Sequence, residues 1–319
     1  MGFSVYRYLF GPVPSRRLGS SFGVDLVSAK TCSFDCVFCQ VGRTGVLTID
    51  RKEYVPVSAV VAELQDWIGH GGKADFITLA GAGEPTLNVG FGHVIDAIHH
   101  LSKIKTAILS NGSLFYMPEV RLDACMSDLV KVSLGAWDQD SFEKLNQPIA
   151  GLKFSSVLEG LRVFGKEFKG VLWLEIFVVA GINDQKESMQ RIADLAFEIG
   201  PDHIHLNTVV RPPADHSARA VSLKVLEQFA SLFSPVAEVI PSFSTRDPSM
   251  TDGGKKNIAG LLARHPCRIE DVAMLFGGDC AKAKVLLSEM LSQGDVRLEM
   301  HGEQSFYTGV DPDGCKNRT

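Results

Sequence analysis

The chain has 319 residues, 45% hydrophobic and 22% charged, with a formal net charge of −5 and a pI near 6.0. This is a globular composition, longer than the roughly 250 to 300 residues at which a single core stops growing, so two domains are expected, with no global attraction to nucleic acid. No stretch reaches the ~18 apolar residues of a membrane helix, the amino terminus lacks a secretory pattern, and seven cysteines, an odd and sparse count with four of them scattered, do not make a disulfide framework. The expectation is a cytoplasmic protein with no membrane partner.

In chain order, residues 7–19 are rich in Pro and Gly and read as an ordered loop leading into a strand over 20–27. The next stretch holds Cys32, Cys36 and Cys39 in a C-x3-C-x2-C spacing, with Phe38 just before the last. Three thiols so spaced can converge on one small inorganic object. A four-iron cluster normally takes four thiolates, so three leave one iron open. Zinc would want a fourth Cys or His at short range, and the loop has none.

Beyond this loop the apolar period alternates between helix and strand. Helices are expected over 57–69, 90–102, 117–124, 153–166, 184–199 and 221–234. Strands are expected over 75–80, 104–110, 127–134, 170–179 and 202–209. Six strands alternating with helices imply an α/β fold with a parallel sheet, either open and doubly wound or an incomplete barrel. Periodicity does not choose between them.

Notable residues fall where strands end. Ala80-Gly81-Ala82-Gly83-Glu84-Pro85 follows the second strand, a tight turn with a carboxylate that could accept from an ammonium group. Asn111 follows the third strand and Ser133 ends the fourth, although Asn-Gly is a common turn and Ser a common strand end. Asn183 or Asp184 follows the fifth and could cap the next helix.

The motif C-x3-C-x-Phe-C after a first strand resembles the signature of the radical S-adenosylmethionine (SAM) superfamily, and Gly83-Glu84-Pro85 resembles the end of its Gly-Gly-Glu-Pro motif, with Ala82 in place of the first glycine. The resemblance implies a partial (β/α)6 barrel and a 4Fe-4S cluster on Cys32, Cys36 and Cys39. SAM would sit on the open iron, its amino group near Gly83, Glu84 and Pro85, with Ser133 or Asn111 near the ribose and Phe38 beside the cluster. It also implies an external electron donor, flavodoxin- or ferredoxin-like, and a 5'-deoxyadenosyl radical that takes a hydrogen atom from substrate.

After residue 240 the character changes. Residues 241–254 read as a linker between a barrel over 1–240 and a tail over 255–319. The tail predicts helices near 255–264, 268–275 and 279–293, then a hairpin around His301-Gly302, the order of a winged helix. From Lys255 to Tyr307 seven cations balance seven carboxylates, without the basic stripe of a phosphate binder.

The segments Tyr8 to Gly19 and Leu206 to Pro213, with the winged tail, are similar to a bacterial group related to wyosine-type tRNA-modifying synthases. That kinship implies tRNA as substrate, whereas the neutral tail suits a peptide or protein substrate. An iron-sulfur regulator is the non-enzymatic reading. Strand parity completes the set: His203, His205 and Asn207 share one face of their strand, and Lys131 and Glu175 face the same lumen, with Asp25 as a further member and Arg211 at the mouth. Glu175, His205 and Lys131 are the substrate-facing candidates, with mutual charge pairing as the structural alternative.

Overall fold

The computed structural model describes residues 6–15, 17–27, 30–240, 255–264, 266–302 and 304–310. Its strands are β1 (Leu9–Ser15), β2 (Gly19–Val24), β3 (Thr31–Cys32), β4 (Val46–Leu47), β5 (Phe76–Leu79), β6 (Lys105–Leu109), β7 (Leu129–Ser133), β8 (Val171–Val178), β9 (His203–Thr208), β10 (Glu238–Val239), β11 (Val296–His301) and β12 (Gln304–Gly309). Eight of them form one sheet in the order β1-β2-β5-β6-β7-β8-β9-β10. Strands β2 to β10 run parallel in that sheet, and β1 lies antiparallel on the β2 edge. The result is the partial barrel expected from six βα units, extended by one strand at each edge.

Helices α1 (Val57–Gly69), α2 (Phe91–Leu101), α3 (Pro118–Ala124), α4 (Gln139–Asn146), α5 (Phe154–Glu167), α6 (Lys186–Ile199) and α7 (Leu223–Ala230) accompany it. Their apolar stripes explain their positions. In α1, Val60, Leu64 and Trp67 recur at helical spacing and are buried, and Trp67 stacks on Phe22 of β2 at 3.8 Å between ring centroids. Burial of each such side chain contributes about 1.5 to 3 kcal/mol.

Among the departures from the expectation, β1 and α4 bear on the site. Residues 9–15, read as a loop, are β1: Pro12 and Pro14 lack ladder donors, but an edge strand tolerates that loss, and the register shifts between Phe10 and Val13. Helix α4 was not expected. Its start is fixed by reciprocal bonds between Asp138 and Ser141, and its end by Gln147 in a left-handed conformation.

The tail folds as α8 (Lys255–Arg264), α9 (Ile269–Ala273), α10 (Cys280–Ser292) and the antiparallel β11–β12 pair. It has its own small core, which includes Ile258, Leu262, Val272, Leu287 and Met290, and Val13 of β1 packs against it. The segment 241–254, read as a linker, lies outside the described residues.

Candidate active site

The cysteine loop is the excursion between β3 and β4, and its two ends are tied together. Gly45 and Val46 N–H donate to the Lys30 carbonyl at 3.0 and 3.1 Å, and Thr48 N–H donates to the Cys32 carbonyl at 2.9 Å. The end of α4 holds the middle of the loop: Asp35 and Val37 N–H donate to the Asn146 and Leu145 carbonyls, each at 3.1 Å. Two amides then meet the sulfurs. Asn111 Nδ2 stands 3.4 Å from Cys32 Sγ, and Asn146 Nδ2 stands 3.3 Å from Cys36 Sγ. Burial pushes the Cys32 thiol up to about 12 and raises Cys36 as well, so both are neutral until a cation draws off the proton.

The loop after β5 explains its glycines. A Cβ on Gly83 would lie 1.7 Å from the Thr31 carbonyl oxygen, and one on Gly81 would lie 2.2 Å from the Asp25 carboxylate. Glycine therefore lets this loop lie against β3 and β2, with Glu84 N–H donating to the Thr31 carbonyl at 3.1 Å and Ala82 N–H to Asp25 at 3.2 Å.

Glu84 is 2% exposed. Its Oε1 accepts from Thr86 N at 3.1 Å, Thr86 Oγ1 at 2.6 Å and Ser110 Oγ at 2.7 Å, and its Oε2 accepts from Asn111 N at 2.7 Å. Burial raises its pKa, and the four donors oppose that rise. The carboxylate thus fixes Asn111, whose side-chain amide reaches Cys32 and, at 2.9 Å, Ser33 Oγ. Pro85 begins a single 3-10 turn beneath it.

The lumen is layered. At its base Leu18, Ala107 and Leu129 form an apolar plug with Phe76, Leu109 and Trp173. Above it Glu175 meets Lys131 Nζ at 3.0 Å and Arg17 at 2.9 Å, and Asn207 Nδ2 donates to it at 3.4 Å. Arg17 Nη1 is also 3.3 Å from His205 Nδ1. A guanidinium only donates, so Nδ1 accepts and the imidazole proton sits on Nε2. Burial first, and then Arg17, lower the His205 pKa to about 4, which keeps the ring neutral.

Lys131, Ser133, Glu175, Asn207 and Arg17 line a cavity of about 370 Å³ whose roof is Phe38 and Cys39 of the cysteine loop. Phe38 stacks on Phe177 with ring centroids 4.1 Å apart. Leu261, Cys267 and Asp271 of the tail complete the wall.

Of the residues that parity assigns to the lumen, Lys131, Glu175 and Asn207 line the cavity, whereas His203 and His205 do not. His203 lies at the start of β9, its side chain 49% exposed and 3.3 Å from Glu238, and is therefore outside the lumen. His205 is buried behind Arg17 and Trp173 and does not line the cavity. Asn183 does not cap α6; it pins its own loop by accepting from Val179 N–H and donating to the Gly135 and Phe177 carbonyls. Arg17 and Asn146 were missed. Arg17 sits in the segment read as a loop, 158 positions before Glu175 (175 − 17), and no local pattern announces such a pair.

The profile of the Radical SAM superfamily matches residues 26–196, more than half of the chain, and the protein belongs to that superfamily. More particularly, it is similar to the UPF0026 protein of Helicobacter pylori strain J99, with 30% identity over 307 residues that span 94% of this chain and 96% of that one. It is also 34% identical over 311 residues to a protein named GTPase Obg from Brachyspira hyodysenteriae, across 95% of this chain but 45% of that protein's length. The fold resembles Streptococcus suis SuiB bound to precursor peptide SuiA, with a TM-score of 0.51, 16% identity, and coverage of 66% of this chain and 45% of SuiB.

The chain is a radical SAM enzyme, whose cofactors are a 4Fe-4S cluster and SAM and whose electron comes from an external donor. The residues present fit that cluster. Three thiols lie on one anchored loop, and two of them have an amide donor at sulfur, the kind of outer contact that tunes cluster potentials. Among the described residues no group of three His, Cys, Asp or Glu side chains is set to hold a single metal ion. No described helix is long and apolar enough to cross a membrane.

Proposed function

We propose that Cys32, Cys36 and Cys39 hold the cluster and that substrate reacts in the cavity beneath Phe38 and Cys39. The observation that carries this reading is the cavity itself, with the cysteine loop as its roof and the Arg17–Glu175–Lys131 network as its floor. The bound cofactors supply the electron transfer that cleaves SAM and the deoxyadenosyl radical that abstracts hydrogen. The chain's own residues orient and shield. Phe38 on Phe177 and the apolar plug keep water from the reacting centre, and Ser133, on the cavity wall beside Glu175, is placed to meet ribose hydroxyls. The Gly81–Pro85 backbone would receive the SAM amino end. Glu84 and Asn111 act from behind, by holding Cys32.

Lys131 and Glu175 face substrate, and His205 acts through Arg17 as a positioning residue. In this reading the donor is flavodoxin- or ferredoxin-like and the enzyme works in the reducing cytoplasm. Of the two substrate classes left open by the sequence, tRNA and a peptide or protein, the charge at the mouth favours tRNA. The test is anaerobic incubation with SAM, reductant and either cellular RNA or cellular peptide. Deoxyadenosine accompanied by a mass change confined to the RNA supports the reading, and a change confined to the peptide fraction overturns its substrate.

A further inference from the structure

A second cavity, of about 720 Å³, opens between the loop after β9 and the tail. Its cationic lining comes from both sides, Arg211 and Arg219 from the loop and Arg268 from the tail, with the His216 and His301 rings beside them. Asp271 is the one carboxylate among the described lining residues, 3.7 Å from both Arg211 and Arg268. Among the described lining residues, three arginines against one aspartate leave a formal charge of +2 (3 − 1), in a chain whose net charge is −5. Charge of that sign concentrated in a cleft with low-dielectric walls focuses anions into it.

The floor is apolar, with Val209, Ala218, Met300 and Phe306. Burial, followed by nearby His216 and Arg219, holds His301 below its usual pKa, so it lines the cleft as a neutral donor and acceptor. Arg211 and Asp271 also line the cavity beneath the cysteine loop, so the two spaces adjoin at these residues.

We infer that this cleft is an anteroom of the reaction cavity that holds a phosphate-bearing part of the substrate, with Arg219, Arg268 and Arg211 on the phosphate and the apolar floor under an adjoining base. The residual +2 matches a phosphate monoester or two phosphodiesters, whereas a single side-chain carboxylate would leave a cation uncompensated. The inference rests on the radical reading only for the cavity next door.

The cluster-loaded enzyme is titrated anaerobically with three probes: a short labelled mixed-sequence RNA, ATP, and a glutamate-rich peptide of similar length. The nucleic probes should bind at least tenfold more tightly than the peptide, and ATP that competes fully with RNA identifies a mononucleotide source. Arg219→Gln, an exposed loop position, should weaken RNA binding about tenfold and reduce the slope of log K against log salt by about 1, and Arg219→Lys should restore much of both. Peptide binding equal to or tighter than RNA binding overturns the inference, as does an Arg219→Gln variant with unchanged affinity and slope. Wild-type SAM cleavage without any probe is followed alongside. Its absence with phosphate binding intact would sink the radical reading and leave the cleft, and the reverse would sink the cleft alone.

Discussion

The proposed role of Glu84 is to hold Cys32 in place through Asn111. Its carboxylate accepts four hydrogen bonds from the chain, so Glu84→Gln must turn an acceptor into a donor against at least one N–H or O–H. The variant should lose about 1.5 to 3 kcal/mol of unfolding free energy and retain less iron, measured by denaturant melts and iron assay. Wild-type stability with weakened SAM affinity would show that the carboxylate touches the cofactor directly. His205 predicts a pH effect. Its folded pKa of about 4 lies below the ordinary 6.5, so the unfolded chain binds more protons between those values and stability falls as pH drops through that window. In the cluster-free chain His205→Gln should flatten this loss, which is about 1 to 3 kcal/mol between pH 6.5 and 4.5. An identical pH slope in the variant would place the titration elsewhere.

At the scale of elements, α4 links the barrel to the cysteine loop. The helix is only eight residues long with a mixed polar sequence, so its period was too weak to read, yet its last turn holds Asp35, Val37 and Cys36. Asn146→Ala should leave the cluster assembled and lower its reduction potential by roughly 40 mV, the one-electron equivalent of losing a hydrogen bond of about 1 kcal/mol. A redox titration followed by electron paramagnetic resonance reads this; an unmoved potential would make Asn146 a loop brace only. The long helices were legible because their stripes are unambiguous, and α1 starts and stops where the pattern does. Strand β1 was not legible, because Pro12 and Pro14 signal a loop unless the strand lies on an edge, and edge position is a property of the finished sheet.

For the whole molecule, the alternating strands implied the parallel sheet and the cysteine triplet carried the resemblance that implied the chemistry, since both are local patterns. The lumen network was half legible. Parity assigns faces to Lys131, Glu175 and His205, but it says nothing of depth, which is why His203 falls outside the lumen and Arg17 enters it from the opposite edge. The way the tail covers the cavity through Leu261, Cys267 and Asp271 depends on packing between separate cores and left no mark in composition.

In the proposed function, three cysteines on one anchored loop hold the cluster that cleaves SAM. Anaerobic reconstitution of wild type, of Cys36→Ala and of Cys39→Ala, followed by iron and sulfide analysis and by 5'-deoxyadenosine release with SAM and reductant, tests it most directly. Expected are about four irons and four sulfides per wild-type chain with reductant-dependent deoxyadenosine, and the loss of deoxyadenosine in both variants while their far-ultraviolet circular dichroism stays that of a folded barrel. Deoxyadenosine formed at the wild-type rate by either variant, or wild type that binds zinc and forms none, would contradict it.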